Sequence, residues 1–220
     1  NAINNSLQNL SGAKMYVTLE PCNHYGKTPP CTNNIIKNKI SEVYYSIDDI
    51  DVKVKGKSYS ILKKNNINVK KGLLKRESLN LYESYYLNRK KKLPYVIGKI
   101  ALSKNKIIYS DVSKKITNKI SDKLTHYLRL KCDGIMVTSK TLNIDNPKLS
   151  CRLEGYAQHS PKRIILDKNL KINLKSYVVK SIKNGNTIIF YKSNNRIKKN
   201  FLKKKGAFLI NQPIQKHKNF

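Results

Sequence analysis

Cys22 and Cys31 lie in the segment of this chain whose residue types are best suited to metal chemistry. The segment reads T-L-E-P-C-N-H-Y-G-K-T-P-P-C from Thr18, and a proline directly precedes each cysteine. Proline is at home in the first turn of a helix, and a thiolate near a helix N-terminus is stabilised by the free N–H groups there. We therefore predict that both cysteines lie at helix starts with lowered pKa values, and that they bind zinc.

Two sulfur ligands do not complete a zinc site. A structural zinc site needs four protein ligands, and a catalytic site needs three plus a water molecule. His24 is only two residues from Cys22, so we expect it to face the cavity beside the metal. The remaining ligand is expected before Asn1. Spacing alone leaves a second interpretation open, in which the two cysteines are buried and bind no metal.

Composition limits the function classes. The 220 residues carry 45 Lys+Arg against 13 Asp+Glu, a formal net charge of +32. The lysines are spread along the chain beside abundant Asn, Ile and Tyr, residue types that share A/T-rich codons, so the charge does not require a nucleic-acid partner. Four cysteines are too few for a disulfide scaffold and favour the cytoplasm. The sequence contains neither a membrane-length apolar run nor a G-x-G-x-x-G loop.

The elements that must position the cysteine segment alternate along the chain. Strands are predicted over 14–19, 43–47, 67–69, 95–102, 134–138, 163–167, 187–191 and 207–210. Helices are predicted over 3–10, 32–39, 58–64, 78–87 and 120–130. This alternation predicts α/β layering in both halves. The basic run 89–92, followed by Pro94, predicts a boundary between domains at 1–90 and 94–220. The first helix has no start signal and the last strand is near the end, so we expect an internal fragment.

The segment from Thr18 to Cys31 resembles the bifunctional deaminase/reductase family of riboflavin biosynthesis. Its eight residues between the cysteines, with G-K-T-P-P inside, match that family, whereas the wider cytidine-deaminase superfamily usually has C-x-x-C. The resemblance implies hydrolytic deamination with Zn²⁺, and it implies a His-Ala-Glu motif before Asn1 that supplies the third ligand and the proton shuttle. The 220 residues alone are therefore expected to be inactive as a deaminase.

The resemblance also implies the residues that bind the deaminase substrate. His24, Lys27 and Thr28 would contact it, with Lys27 as a phosphate partner. Asp49-Ile50-Asp51 stands where the family has D-P-N or D-P-D, which implies substrate contacts for Asp49 and Asp51. A polar turn after a strand is the alternative explanation for this pair.

The second half resembles the reductase of the same family. T-L-N-I-D-N-P-K-L-S-C-R from Thr141 matches the family's T-V-L-x-D-D-P-x-L-x-x-R, and P-K-R-I-I-L-D from Pro161 matches its P-x-R-[IV]-[IV]-[IL]-D strand. The implied fold is dihydrofolate-reductase-like and the implied cofactor is NADPH. The cofactor residues would be Ala101, Lys115, Thr141 and Asp145. The substrate residues would be Ser113, Arg129, Leu149 and Arg152. The two arginines suit a ribose phosphate, and a surface salt bridge is the alternative for each.

Taken together, the resemblance implies an α/β chain with an incomplete cytidine-deaminase-like three-layer αβα domain, followed by an incomplete dihydrofolate-reductase-like domain. The expected partners are phosphorylated pyrimidines, with no membrane and no nucleic acid, and homo-oligomer formation is left open. The sequence departs from the family at Lys115, often an aromatic residue, and at Asn105-Lys106, usually Asp-Gly. Two alternatives remain: a reductase with a non-catalytic zinc domain, and a basic nucleic-acid-binding relative of the deaminases.

Overall fold

The computed structural model describes residues 2–108, 116–183 and 185–212. The chain divides into two compact units, Asn1–Lys99 and Ile100–Phe220. The domain boundary predicted at 89–93 lies a few residues before this division and stays a prediction. No helix among the described residues is long and apolar enough to cross a membrane.

The first unit is built on a parallel three-stranded sheet in the order β1-β2-β3. Its strands are β1 (Lys14–Leu19), β2 (Glu42–Ile47) and β3 (Asn68–Lys71), joined by helices α1 (Cys31–Lys37) and α2 (Lys57–Lys64). Alternate residues of a strand point to opposite faces. One face thus contributes apolar side chains that pack with residues of the helices, and the core consists of Ile35, Ile40, Val43, Tyr45, Leu62, Ile67 and Val69.

Helices α3 (Lys75–Leu81) and α4 (Glu83–Lys91) follow β3. We predicted a single helix over 78–87, but the chain breaks at Tyr82, which has non-helical backbone angles between the two helices. Helix α4 continues through most of the basic run and ends where Lys92 takes a left-handed φ of 56°, two residues before Pro94. Three tyrosine hydroxyls attach this helical segment to the strand ends: Tyr82 to the Thr18 hydroxyl, Tyr85 to the Asp49 carboxylate and Tyr86 to the Asp48 carbonyl.

The second unit contains a parallel four-stranded sheet in the order β4-β5-β6-β7. The strands are β4 (Gly134–Thr138), β5 (Lys162–Leu166), β6 (Thr187–Tyr191) and β7 (Phe208–Asn211). The helices are α5 (Lys119–Lys131), α6 (Ser139–Asp145), α7 (Tyr177–Lys180) and α8 (Arg196–Lys204). Buried Ile165 and Ile189 of the central strands pack with Leu142 of α6, Val178 of α7 and Leu202 of α8.

Two predicted elements are wrong. Residues 3–10 form no helix and are irregular after a turn that ends at residue 5, because Leu7 is fully exposed and the apolar residues share no buried face that would offset helix nucleation. Residues 95–102 form no strand, because no described strand is hydrogen-bonded to them and Val96 and Ile100 are exposed. A β-branched pattern becomes a strand only when a partner completes its hydrogen-bonded ladder.

Candidate functional site

The two cysteines of the sequence motif lie side by side in the first unit. The Sγ atoms of Cys22 and Cys31 are 3.2 Å apart, and the Cys31 N–H donates to the Cys22 sulfur at 3.3 Å. Helix α1 begins at Cys31, directly after Pro30. Cys22, however, lies in a loop and not at a helix start, which corrects the prediction. Pro29 and Pro30 lack amide donors, and the helix forms only after them.

The sulfur pair is too far apart for a disulfide and close enough for both atoms to approach one metal ion. A disulfide bond is about 2.0 Å long, whereas two sulfurs bound to one tetrahedral zinc ion lie about 3.8 Å apart. The 3.2 Å separation is nearer to the second value. Burial, followed by the adjacent Cys22 sulfur, raises the pKa of the Cys31 thiol. The predicted lowering by the helix N-terminus is therefore wrong for Cys31 in the metal-free chain.

Unsatisfied polar atoms lie next to the sulfurs in the chain. His24 Nδ1 and Asn23 Oδ1 are buried, and neither has a hydrogen-bond partner within the described residues. No group of three or more His, Cys, Asp or Glu side chains that could hold a metal occurs in the described part of the chain. The residues present thus fit part of a zinc site: two sulfur ligands and a histidine nitrogen left unpaired close by in sequence.

Glu20 is a site residue that the sequence analysis missed. Its side chain is 3% exposed, and its carboxylate accepts three backbone N–H groups, from Asp49 at 3.2 Å, Gly56 at 3.0 Å and Ser58 at 3.2 Å. Leu19 and Ile47 are register partners in β1 and β2, so the residues that follow them meet at one sheet edge. Glu20 thereby ties the cysteine loop to the start of α2. An acidic residue directly after a predicted strand is the signal that could have revealed it.

Asp49 and Asp51 lie at this same edge and are tied to α4. Asp49 is 7% exposed and accepts the Tyr85 hydroxyl at 2.8 Å and the Asp51 N–H at 2.9 Å. Burial and this bond raise the pKa of Tyr85 to about 12. The Lys53 N–H, followed by the charge of Arg89 at 3.6 Å, lowers the pKa of Asp51, and His24 contributes in the same direction. Both readings of the aspartate pair, as a polar turn and as a substrate contact, are compatible with this arrangement.

The other predicted deaminase residues, Lys27 and Thr28, are exposed in the same loop. The Gly26 N–H donates to the Thr28 carbonyl at 3.2 Å, which closes the loop locally. The structure thus brings Cys22 and Cys31 together and leaves the Lys27 ammonium open to solvent. Carboxyl ends of parallel strands are where α/β sheets usually bind ligands.

In the second unit, three predicted substrate residues line one cavity. Arg129, Leu149 and Arg152 surround a volume of about 380 Å³ together with Pro147 and Lys148. Three of the five lining residues are cationic and none is acidic. Arg129 donates through Nη1 to the Ser150 carbonyl at 3.1 Å, and its buried Nε has no partner within the described residues. Burial, followed by the charge of Arg152, lowers the pKa of Arg129.

The predicted cofactor residues are less closely grouped. Thr141 and Asp145 are exposed on α6, where the Thr138 hydroxyl caps the helix by accepting the Thr141 N–H at 3.3 Å. Ala101 is partly buried in the segment that forms no strand. The two other predicted residues, Ser113 and Lys115, lie outside the described residues.

Comparison with known proteins matches both halves of the chain. The model of the RibD C-terminal domain matches residues 106–212, and the model of the cytidine and deoxycytidylate deaminase zinc-binding region matches residues 1–47. The riboflavin biosynthesis protein RibD of Bacillus amyloliquefaciens is 38% identical over 173 residues, 78% of this chain and 46% of that protein. RibD of Aquifex aeolicus is 33% identical over 211 residues, 95% of this chain and 58% of that protein.

This chain is a RibD-like protein. Solved structures agree: the RibD-like chain matches Acinetobacter baumannii RibD with a TM-score of 0.78 at 26% identity, over 93% of this chain and 57% of that one. It matches a diaminohydroxyphosphoribosylaminopyrimidine deaminase/5-amino-6-(5-phosphoribosylamino)uracil reductase from Thermotoga maritima with a TM-score of 0.75 at 29% identity, over 92% and 62%. The predicted family and α/β fold class are confirmed. The RibD-like chain spans about half the length of the curated relatives it matches.

Proposed function

We propose that this RibD-like chain carries the sites for two consecutive steps of riboflavin biosynthesis. The first is the hydrolytic deamination of 2,5-diamino-6-ribosylamino-4(3H)-pyrimidinone 5′-phosphate, and the second is the reduction of the ribosyl group of the product to ribityl with NADPH. The observation that carries this proposal is the presence of one candidate site in each matched half. The paired sulfurs lie 3.2 Å apart in the first, and the cationic cavity lies in the second.

In the deaminase half, Cys22 and Cys31 would hold Zn²⁺, which when bound activates water for hydrolysis at neutral pH. Glu20 holds the cysteine loop against the start of α2 through its three N–H contacts. His24 has a buried nitrogen that is free to pair with a substrate or ligand group. Lys27 is an exposed point charge suited to the substrate phosphate. The Asp49–Asp51 turn, braced by α4, offers the second side of the substrate site.

In the reductase half, Arg129 and Arg152 would bind the 5′-phosphate of the substrate, because planar guanidinium groups pair well with phosphate oxygens. The unpartnered Arg129 Nε gives one donor that an anion can accept without breaking an existing hydrogen bond. Leu149 provides an apolar wall at the cavity, and Thr141 and Asp145 would face NADPH. The bound cofactor supplies the hydride, and the chain supplies binding and orientation.

The test is a pair of crossed variants in the protein expressed from its complete open reading frame. Cys22→Ser should abolish deamination while leaving NADPH-dependent reduction of the deaminated substrate within about twofold of wild type. Arg152→Ala should leave deamination within about twofold of wild type and raise the KM of the reduction about tenfold or more. Loss of neither activity would refute the assignment of the two sites.

We also propose that the protein acts in the cytoplasm. The four cysteines are free thiols, which suits a reducing compartment. Cell fractionation checks the location, and light scattering of the purified protein decides whether it is a homo-oligomer.

A further inference from the structure

The loop that lines the cationic cavity is attached to α5 at three successive residues. The Ser150 carbonyl accepts from Arg129 at 3.1 Å, and the Cys151 thiol donates to the His126 carbonyl at 3.6 Å. The Arg152 N–H donates to the His126 ring nitrogen Nδ1 at 3.2 Å. His126 lies one turn before Arg129 on α5, so the two side chains share one helix face. One helix face therefore sets the path of the cavity loop.

The backbone of this loop is strained. Asn146 and Leu149 take left-handed φ angles of 43° and 55°, a conformation that is unfavourable for a residue other than glycine. The contacts of the loop hold it in this shape. The Leu149 side chain is 3% exposed, and the Asn146 carboxamide oxygen accepts the Tyr177 N–H at 2.7 Å. Among these contacts, the hydrogen bond to His126 Nδ1 is the one that Arg152 itself makes, at the end of the loop.

We propose that His126 is a positioning residue for the anion cavity: its ring accepts the Arg152 N–H through Nδ1 and so fixes the backbone from which Arg152 reaches a phosphate group. This inference rests on the proposed function, in which the cavity binds the phosphate of the reductase substrate. His126 itself need not touch the substrate. Its effect on binding should pass through Arg152.

The surroundings of His126 favour the neutral ring that this contact needs. The charged groups facing it are Arg152 from the loop, Arg129 one turn later on α5 and Asp122 one turn earlier. Burial, followed by the two arginines, lowers the pKa of His126, and the smaller effects of the Ser150 carbonyl and Asp122 oppose this. The lowered pKa favours the neutral ring, and a proton on Nε2 would leave Nδ1 free to accept.

The test compares two variants of His126 in the protein expressed from its complete open reading frame. His126→Phe keeps a ring but loses the acceptor, and His126→Asn places an amide oxygen near the position of Nδ1. We expect His126→Phe to weaken binding of ribose 5-phosphate, and to raise the KM of the reduction, about tenfold. Its kcat should stay within about twofold of wild type. His126→Asn should recover most of the binding. His159→Phe, at an exposed histidine of the same unit, is the matched control.

Repeating His126→Phe in an Arg152→Ala background separates positioning from general stabilisation. If His126 acts through Arg152, the second substitution should change ribose 5-phosphate affinity less than twofold. An equal loss in both backgrounds, or a His126→Asn variant as weak as His126→Phe, would overturn the proposal, and so would wild-type affinity in His126→Phe. If Arg152→Ala alone leaves affinity unchanged, the phosphate cavity itself is wrong and both proposals fall. Thermal unfolding of each variant shows that the fold is retained.

Discussion

The carboxylate of Glu20 determines where the cysteine loop lies. Three N–H groups, two from the segment after β2 and one from the first turn of α2, point at its two oxygens, and the Ser58 hydroxyl donates to the carbonyl of the adjacent Pro21. A buried carboxylate is stable only when such donors replace water. The motif T-L-E-P-C thus combines an acid that fixes the loop with a cysteine that we propose as a metal ligand.

Glu20→Gln tests this role. An amide oxygen and an NH₂ group replace two acceptor oxygens, so at least one buried N–H loses its partner, and we expect the free energy of unfolding to fall by about 1–3 kcal/mol. Urea unfolding followed by circular dichroism measures the change. Glu154→Gln, at an exposed glutamate, is the control and should stay within about 0.5 kcal/mol of wild type. Equal stability of the two variants would refute the role of Glu20.

At the scale of elements, the sequence predicts a strand well where β-branched residues find a partner. The strand predicted at 187–191 coincides with β6, and β1 and β4 also match their predicted bounds. The same pattern fails at 95–102, because no described strand pairs with it. The Cys22–Cys31 pairing could be predicted from their residue types and motif, whereas the Tyr85–Asp49 contact could not, since no local pattern links residues 36 positions apart.

Tyr85→Phe tests how α4 is held on the sheet. Removing the hydroxyl takes one donor from the Asp49 carboxylate, which is 7% exposed and keeps the Asp51 N–H. Because Tyr85 is itself partly exposed, we expect a loss of about 1–2 kcal/mol in the free energy of unfolding. Tyr25→Phe, at a tyrosine that is 75% exposed, should have no measurable effect. A Tyr85→Phe variant as stable as wild type would show that α4 does not depend on this bond.

At the scale of the molecule, the net charge of +32 belongs to a chain for which we propose two small-molecule sites. Its cations are dispersed among both units, and several stack on tyrosines, such as Lys70 on Tyr44 and Arg89 on Tyr85. In the second unit, three of these cations line one cavity: Arg129, Lys148 and Arg152. We propose that this cavity holds one phosphate group. The field of the whole chain attracts anionic substrates towards such a site.

Salt dependence distinguishes this account from a nucleic-acid-binding protein. Dispersed lysines should bind a single-stranded oligonucleotide weakly at 50 mM salt, and counterion competition should remove the binding by about 150 mM. Fluorescence anisotropy with a labelled 20-mer measures this oligonucleotide binding, and added ribose 5-phosphate tests whether a small phosphate displaces the oligonucleotide. Submicromolar binding that persists at 150 mM salt would favour the nucleic-acid-binding alternative.

The claim on which the deaminase half depends is that the paired thiols hold a metal. The direct measurement is the zinc content, by inductively coupled plasma mass spectrometry, of the protein expressed from its complete open reading frame and of its cysteine variants. We predict about one zinc per chain in the wild type and in Cys132→Ser, and a loss of most of that zinc in Cys22→Ser and in Cys31→Ser. Full zinc occupancy in both of the last two variants, or none in the wild type, would contradict the account.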